Sequence, residues 1–314
     1  MAQALKFGLD VGIYGRLATR EHILELAELA ESSGFDAIWL ADHVIFPTTF
    51  NSPYPYSTTG TFPVDMSQEP LLEPIATMGV LVGATKQVKI GTAVLIIPYR
   101  NPVLLARMLV TFDVLSGGRI VLGAGVGWLA EEFAALESKP FAARGRVTDE
   151  YIEVIKRICQ GGEVSFQGDH YQLEPVISKP GSVQRPHPPI LIGGISNAAL
   201  RRVARLADGW LSTALGTEKI VERLGLLRSL CETQGRSFAD LTLYHKLFIN
   251  IGEARQGTDG GRDWGTGSKA QILDDIRRLV DLGYDGVVVR YRGSEAEAQR
   301  NQLRIFIDEI MSKV

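Results

Sequence analysis

Residues 33–40 read Ser33-Gly34-Phe35-Asp36-Ala37-Ile38-Trp39-Leu40. Residues 282–289 repeat this design as Leu282-Gly283-Tyr284-Asp285-Gly286-Val287-Val288-Val289, and residues 205–211 are a looser third copy. The first two copies read as a helix end, a glycine that stops the helix, an aromatic residue, an aspartate and an apolar strand. Repetition of one turn design indicates that several helices return to a sheet in the same way, as they do in a closed barrel.

The same alternation of strand and helix extends over the whole chain. Apolar, strand-like stretches occur at residues 5–11, 36–41, 88–97, 119–123, 189–192, 209–213, 242–249 and 285–290. Helical periodicity occurs at residues 19–33, 70–84, 102–115, 149–159, 198–206, 218–233, 268–282 and 296–311. Eight alternations predict an α/β fold with a parallel sheet, and the repeated turns favour a (β/α)8 TIM barrel that forms one domain over residues 1–314. The alternative is a doubly wound open sheet.

Three loop insertions interrupt the alternation. Residues 46–69 are rich in Pro, Ser, Thr, Tyr and Phe, residues 163–187 contain a predicted hairpin, and residues 253–267 are rich in glycine. Long loops in compact domains are usually lids or binding loops. The first insertion follows the second strand, at the end where barrel active sites form, so we expect a lid there. A surface loop without function is the alternative.

Composition excludes several classes of function. A formal net charge of −3 gives no general attraction to nucleic acid or to anionic membranes. No apolar run approaches the roughly 18 residues of a membrane helix, and the first apolar stretch contains Lys6 and Asp10, unlike a signal peptide. Cys159 and Cys231 lie in no metal-binding pattern. We therefore expect a cytoplasmic protein without a metal site.

The predicted carboxyl ends of the strands form a glycine-rich and sparsely charged rim. They include Asp42-His43, Ala93-Val94, Gly123 to Gly127, Gly193-Gly194, Ser212-Thr213 and Arg290 with Arg292. The rim has no paired-carboxylate dyad, metal-ligand cluster or nucleophile elbow, so hydrolysis and metal catalysis are poorly supported. Such a lining favours a flat, apolar ring system approached by backbone amides.

Three of these strand ends are candidates for binding or chemistry. His43 can hydrogen-bond a ring or act as a general acid or base, although it can equally be satisfied within its loop. The glycines of residues 123–127 allow close backbone approach, but the match to a dinucleotide fingerprint is partial and a tight turn without a ligand is the alternative. Gly193-Gly194 followed by Ser196 predicts an anion site at a helix start, or an ordinary serine N-cap.

A Schiff-base enzyme of the aldolase type is not predicted. Such an enzyme needs a lysine at the carboxyl end of a barrel strand. Lys86, Lys89 and Lys179 fall in predicted helix ends or loops. We therefore expect no Schiff-base lysine at the carboxyl end of a strand.

Six motifs occur in one order across nearly the whole chain. They are residues 39–43 (WLADH), 91–95 (GTAVL), 98–106 (PYRNPVLLA), 115–119 (LSGGR), 123–128 (GAGVGW) and 188–194 (PPILIGG). Together they resemble the bacterial luciferase-like monooxygenase superfamily. Within it, the chain looks most like the branch that depends on coenzyme F420, a 5-deazaflavin.

The resemblance implies hydride transfer between F420 and a small organic substrate. It implies that His43 faces the reactive ring as proton donor or hydrogen-bond partner, with Asp42 beside it, so both are candidate catalytic and cofactor-binding residues. It also implies a non-proline cis peptide at Ala93-Val94 that forms a bulge behind the ring. The other cofactor-lining residues that it implies are Gly125, Val126, Gly127, Gly193, Gly194 and Ser196, the last near the phosphate.

Two departures and two alternatives accompany this resemblance. Leu104 stands where the FMN-using luciferases carry a basic residue that grips phosphate, and the lysines that bind sugar phosphate in the branch's glucose-6-phosphate dehydrogenases have no clear match. One alternative is an FMN-dependent two-component monooxygenase that takes reduced flavin from a separate reductase and uses O2. The other is a flavin-binding protein without catalysis. Homodimers and a separate flavin or F420 reductase are expected from the family.

Overall fold

Eight parallel strands form a closed barrel in this computed structural model, which describes residues 4–57, 59–62, 64–66, 68–213, 216–257 and 260–314. The barrel strands are β1 (Lys6–Asp10), β2 (Ala37–Leu40), β3 (Lys89–Thr92), β4 (Ile120–Gly125), β5 (Ile190–Gly193), β6 (Gly209–Thr213), β7 (Thr242–Ile251) and β8 (Gly286–Tyr291). Strand β8 pairs with β1, where Gly286 lies opposite Lys6, and β7 joins β8 to β6. The predicted TIM barrel is therefore confirmed, and the open sheet is excluded.

A layer of helices surrounds the barrel. One long helix precedes or follows each barrel strand: α1 (Arg20–Ser32), α2 (Pro74–Ala84), α3 (Pro102–Ser116), α4 (Arg144–Gln160), α5 (Asn197–Leu206), α6 (Thr217–Thr233), α7 (Lys269–Asp281) and α8 (Ala296–Glu309). Their caps follow the sequence signals. Thr19 accepts a hydrogen bond from the backbone of His22, and Ser268 forms a capping box with Gln271.

The repeated turn design has a local physical basis. Gly34 and Gly283 have φ values of 80° and 87°, which glycine adopts without the steric cost of a Cβ atom. The aspartates of the later copies tie neighbouring strands together. Asp285 accepts a hydrogen bond from the backbone N–H of Leu243 at 2.7 Å, and Asp208 accepts one from Ile190 at 2.8 Å. The same sequence design therefore closes two different strand pairs.

Several predicted elements differ from the structure. The stretch at residues 88–97 is not one strand, because a cis peptide bond at Ala93-Val94 separates β3 from a short strand, Leu95–Ile96, that pairs with β4. Helix α4 begins at Arg144, before its predicted start, and a short helix, Ala130–Ala135, was not predicted. The glycine-rich insertion contains a two-residue strand, Thr266–Gly267, which pairs with β7.

The hairpin prediction is confirmed, and the insertions are described only in part. Strands Gly162–Gln167 and Gln172–Ser178 form an antiparallel pair. Positions 58, 63 and 67 of the predicted lid, and positions 258 and 259 of the glycine-rich insertion, lie outside the described residues.

The interior of the barrel is filled by side chains below the rim. Trp39 lies at its centre, 1% exposed, and its ring centroid is 5.6 Å from that of Tyr244. Glycines on the neighbouring strands leave room for the indole, because a Cβ at Gly8 or Gly91 would lie 2.2 Å or 2.7 Å from atoms of Trp39. Ala93 and Val94 pack on top of this cluster. The barrel is therefore a packed core, and ligands can bind only at its rim.

Candidate active site

The imidazole of His43 is held by a buried carboxylate. Its Nδ1 lies 2.7 Å from Oε2 of Glu132, which is fully buried in the short helix Ala130–Ala135. The other oxygen of Glu132 accepts hydrogen bonds from the backbone N–H groups of Val44 and Ile45, at 2.7 and 3.2 Å. Nε2 of His43 has no hydrogen-bond partner among the described residues. This pair fixes the ring orientation and leaves Nε2 as the atom that can exchange a proton with a ligand.

Tyr99 completes the surroundings of the Glu132 carboxylate. Its hydroxyl donates a hydrogen bond to Oε2 at 2.9 Å. Burial raises the pKa of Tyr99, and the carboxylate of Glu132 raises it further, so the phenol stays protonated and remains a donor. Each carboxylate oxygen of Glu132 therefore has two hydrogen-bond partners. These hydrogen bonds offset the free-energy cost of burying the carboxylate.

Asp42 joins β2 to the segment that follows β3. Its carboxylate accepts two hydrogen bonds from Arg100, at 2.7 and 3.0 Å, and one from the backbone N–H of Ile96 at 2.7 Å. Arg100 also donates to Glu73 at 2.6 Å. Because these partners occupy both carboxylate oxygens, Asp42 positions the backbone of His43 and has no oxygen directed at a ligand.

A bulge at Ala93-Val94 covers the centre of the barrel mouth. The peptide bond is cis, as the resemblance implied, and both residues are half-buried. The glycines of β4 and β5 make room for the Val94 side chain: a Cβ at Gly125 or Gly193 would lie 2.5 Å or 2.4 Å from its methyl groups. The predicted residues Ala93, Val94, Gly125 and Gly193 therefore come together and form a small apolar platform.

The start of α5 lies beside this platform. Ser196 is the exposed N-cap and accepts a hydrogen bond from the backbone N–H of Ala199. Gly194 has a φ of 107°, and its carbonyl accepts a hydrogen bond from Trp210 at 2.8 Å. Arg223 of α6 forms an ion pair with Glu222 and donates to the side chain of Asn197 at 2.6 Å. The helix N-terminus is therefore the feature of this site that favours an anion.

Residues 125–127 lead from β4 into the short helix. Gly125 is the last residue of β4, whereas the sequence placed it in a loop. Gly127 has a φ of 80°, and its carbonyl accepts a hydrogen bond from Arg144 at 3.2 Å. A Cβ at Gly127 would lie 2.7 Å from the ring of Phe133. Val126 lies between them, half-buried. Packing against Phe133 therefore accounts for the glycine in this turn. The contact of residues 125–127 with a cofactor remains a prediction.

Aromatic side chains of the insertion at residues 46–69 cover His43. The rings of Phe46 and Phe62 lie 5.1 and 5.7 Å from the imidazole, and Trp128 lies 6.0 Å from it. His43 is 6% exposed as a result. Glu131 anchors the insertion by accepting hydrogen bonds from the backbone N–H of Asn51 and the hydroxyl of Ser52, both at 2.7 Å. This arrangement is that of a closed lid over the predicted catalytic histidine.

A cavity of about 620 Å³ lies on the other side of this lid. It opens at the carboxyl ends of β1, β7 and β8, and its lining includes Tyr14, Tyr54, Phe248, Trp264, Arg290 and Arg292. None of the ten predicted site residues lines it. Tyr14 and Tyr54 connect the two regions, because their rings lie 5.8 and 5.0 Å from that of Phe62. The lid aromatics therefore separate the cavity from His43.

A buried charge cluster at this rim was missed by the sequence analysis. Asp10, at the end of β1, forms ion pairs with Lys246 of β7 and with Arg290 of β8, the latter at 3.1 Å. Lys246 also donates to the carbonyl of Ala93 at 3.3 Å, within the bulge. Lys246 was not among the lysines weighed from the sequence. A charged residue inside the otherwise apolar stretch at residues 242–249 was the signal that could have identified it.

The two cations determine the ionisation of this cluster. Burial alone would raise the pKa of Asp10, but Arg290 and Lys246 outweigh it and hold the pKa below its ordinary value. Burial lowers the pKa of Lys246, and the carboxylate of Asp10 opposes that shift only in part. Arg290 and Lys246 thus share one carboxylate.

Comparison with known proteins agrees with this architecture. A family model described as luciferase-like monooxygenase matches residues 9–259. An uncharacterised protein of Mycobacterium tuberculosis is 28% identical over 299 residues, 93% of this chain and 95% of that protein. The fold also matches an F420-dependent secondary alcohol dehydrogenase solved with an F420-acetone adduct, with a TM-score of 0.79 at 16% identity over 99% of this chain and 98% of that chain.

Two relatives of known activity match a shorter part of the chain. The FMNH2-dependent dimethylsulfone monooxygenase of Pseudomonas putida is 29% identical over 216 residues, 68% of this chain and 54% of that protein. The F420-dependent glucose-6-phosphate dehydrogenase of Microbacterium testaceum is 30% identical over 209 residues, 64% of this chain and 56% of that protein. The family model spans well over half of the chain, which therefore belongs to the luciferase-like monooxygenase family of F420- and flavin-dependent oxidoreductases.

Proposed function

We propose that this protein is an oxidoreductase that transfers a hydride between coenzyme F420 and a small organic substrate. The observation that carries the proposal is the His43–Glu132 pair at the barrel mouth, because it leaves one imidazole nitrogen available next to the bulge-bearing rim. F420 supplies the hydride chemistry when it is bound, and the protein supplies orientation and a group that handles the proton.

The residues at the rim fit a planar cofactor with a phosphate tail. Ala93 and Val94 present a half-buried apolar surface, against which a flat ring can pack. Ser196 and the N-terminus of α5 favour a phosphate. We infer that Ala93, Val94, Gly193, Gly194 and Ser196 hold the cofactor.

His43 is the proposed proton donor or acceptor. When Nδ1–H donates to Glu132, Nε2 is an acceptor in the neutral ring and a donor in the charged ring. The same nitrogen can therefore give or take a proton while the Glu132 carboxylate holds the ring in place. Asp42 contributes by positioning, through its bonds to Arg100 and Ile96.

Binding requires the lid to open. Phe46, Phe62 and Trp128 surround the imidazole, so a ligand can reach Nε2 only after the aromatic side chains of residues 46–69 move. Glu131 anchors one part of the insertion, because it accepts hydrogen bonds from Asn51 and Ser52. Closure of the same aromatics over a bound ring would exclude water from the reaction.

The FMN-dependent monooxygenase is the second candidate. The dimethylsulfone monooxygenase relative favours it, whereas the position of Leu104 favours F420. Leu104 lies in the first turn of α3 and is 55% exposed, so it offers no charge to a phosphate. Binding of each cofactor therefore discriminates the two candidates.

The partners expected from the sequence are proposals. We propose a small-molecule substrate, a separate F420 or flavin reductase, a cytoplasmic location and a homodimer. Leu104 and Leu115 lie three turns apart on one face of α3, and they are 55% and 71% exposed, which supplies apolar surface for such a contact. No helix in the described ranges is long and apolar enough to span a bilayer.

The experiment measures cofactor binding and turnover separately. Tryptophan fluorescence quenching should show binding of F420 in preference to FMN, and reduced F420 should be oxidised by at least one compound in a panel of ketones, aldehydes and enones. His43→Ala should bind F420 normally and lose about 100-fold or more in turnover. His170→Ala, in the hairpin turn, is the matched control and should behave as wild type. Full turnover in His43→Ala would refute the role of the imidazole. Binding of FMN with no binding of F420 would decide for the monooxygenase.

A further inference from the structure

The 620 Å³ cavity carries more positive than negative charge. Its lining contains five arginines, at positions 16, 255, 262, 290 and 292, and three carboxylates, Asp65, Glu69 and Asp263. Several of these form pairs at the edge: Arg16 with Glu69 at 3.3 Å, and Arg292 with Asp263 at 3.4 Å. Arg262 is also paired with Asp275 behind the wall, so the lining has one more arginine than carboxylates when that counter-ion is counted, although the whole chain has a net charge of −3.

Arg290 also belongs to the buried cluster below the cavity floor. It shares the carboxylate of Asp10 with Lys246, so two basic side chains meet one buried carboxylate. Their side chains are 12% and 10% exposed. A buried charge whose counter-ion is shared with a second basic group is only partly compensated, and an anion nearby would complete the compensation. The cluster therefore favours an anion in the adjoining cavity.

Arg290 lines the cavity and uses one terminal nitrogen to bind Asp10. One terminal nitrogen donates to Asp10 at 3.1 Å, whereas Nε and Nη2 have no hydrogen-bond partner among the described residues. Gly12, with a φ of 59°, makes room for Nη2, because a Cβ there would lie 3.2 Å from it. The guanidinium packs on the ring of Tyr14 at 4.6 Å. Arg290 is thus held by Asp10 and Tyr14 at the wall of the cavity that it lines.

The remaining walls are aromatic. Tyr14, Tyr54, Phe248, Trp264 and Tyr291 line the cavity together with the arginines. Arg292 lies 3.8 Å above the centre of the Phe248 ring, which keeps this second guanidinium flat against the wall. Such walls suit the apolar or aromatic body of a ligand whose charged end meets Arg290.

We propose that the substrate of this enzyme is an organic acid with an apolar or aromatic body, and that Arg290 binds its anionic group in the 620 Å³ cavity. The inference rests on the proposed function, because it assigns the cavity to the substrate that exchanges a hydride at the neighbouring barrel mouth. The lid aromatics separate the two regions when closed, so the body of the acid would extend from Arg290 toward His43 when the lid opens.

The test uses two probe pairs that differ in charge but not in shape: benzoate with benzamide, and octanoate with octanamide. Calorimetric titration of the cofactor-free protein should show that at least one acid binds about 10-fold or more tightly than its amide, as expected for charge-assisted hydrogen bonds to an arginine. Arg290→Met should reduce that preference to near unity, and Arg290→Lys should retain part of it. Arg277→Met, an exposed arginine of α7, should not change it.

The variant is expected to fold, because Arg290→Met leaves Asp10 and Lys246 as a balanced pair. Equal binding of acid and amide, no binding of either pair, or an unchanged preference in Arg290→Met would overturn the proposal. A second titration is made with the protein saturated in F420 or FMN. Displacement of the acid would show that the arginine belongs to the cofactor site, which also overturns it. Because these titrations need no turnover, they can succeed even if the F420 assignment fails.

Discussion

Replacement of Asp10 by asparagine tests the buried charge cluster directly. Asp10 is 1% exposed and is the shared counter-ion of Lys246 and Arg290. In Asp10→Asn both cations stay buried without a carboxylate. Removal of one partner from a buried ion pair typically costs about 3–5 kcal/mol of unfolding free energy. We expect a loss in this range at neutral pH, measured as the shift of the urea unfolding midpoint at constant slope.

The pH dependence distinguishes this cause from a loss of packing. Burial lowers the pKa of Lys246. At pH values between this lowered pKa and the ordinary pKa of lysine, Lys246 is protonated in the unfolded chain but not in the folded chain. Without Asp10 that pKa falls further, so the deficit of Asp10→Asn should shrink as the pH rises above neutrality. In the wild type, the lowered pKa of Asp10 gives a contribution that is present above about pH 4 and is lost as the pH falls through the folded-state pKa.

Two further variants make the prediction refutable. Asp10→Asn combined with Lys246→Met leaves a single cation and should recover part of the lost stability. Asp281→Asn, an exposed aspartate at the end of α7, should change the unfolding free energy by less than about 0.5 kcal/mol. If Asp10→Asn unfolds at the same urea concentration as Asp281→Asn, the cluster does not carry the charges argued above.

Two other predictions concern packing and hydrogen bonding at the barrel mouth. Gly193→Ala places a Cβ 2.4 Å from a methyl of Val94 and should cost about 1–3 kcal/mol, whereas Gly225→Ala in α6, where a Cβ meets nothing within 4 Å, should be neutral or stabilising. Chemical denaturation compares the two, and equal effects would contradict the packing of the bulge. Glu132→Gln directs an amide NH2 toward existing donors and should cost about 1–3 kcal/mol of unfolding free energy, measured by the same denaturation; an unchanged unfolding free energy would contradict the hydrogen bonds drawn from His43 and Tyr99 to Glu132.

Much of the fold could be predicted because its signals are local. The glycines at positions 34 and 283 end helices by their positive φ, and the apolar runs after them are long enough for a strand that is covered on both faces. The prediction was wrong for residues 88–97, where a uniform apolar run conceals the bulge at Ala93-Val94. A local pattern also could not reveal the six-residue helix Ala130–Ala135, which has little periodicity of its own.

The candidate site was likewise predicted only in part. The predicted residues Ala93, Val94, Gly125 and Gly193 lie together because parallel strands bring their carboxyl ends to one rim. The glycines were expected to allow close approach of the backbone to a ligand. In the structure, Gly125 and Gly193 make room for the side chain of Val94. The cavity lies beside β1, β7 and β8, away from all ten predicted residues, because loops of unrelated sequence converge there.

The amino-acid sequence alone determined that strands and helices alternate eight times, and that a glycine-rich rim with His43 follows the second strand. Only the tertiary structure decided that Glu132 holds His43, that Asp10 lies between Lys246 and Arg290, and that the lid aromatics cover the imidazole. Helix stops and hydrophobic periods act between residues a few positions apart. The identity of a buried ion's partner instead depends on which strands are neighbours and in what register, and that is fixed only when the barrel closes.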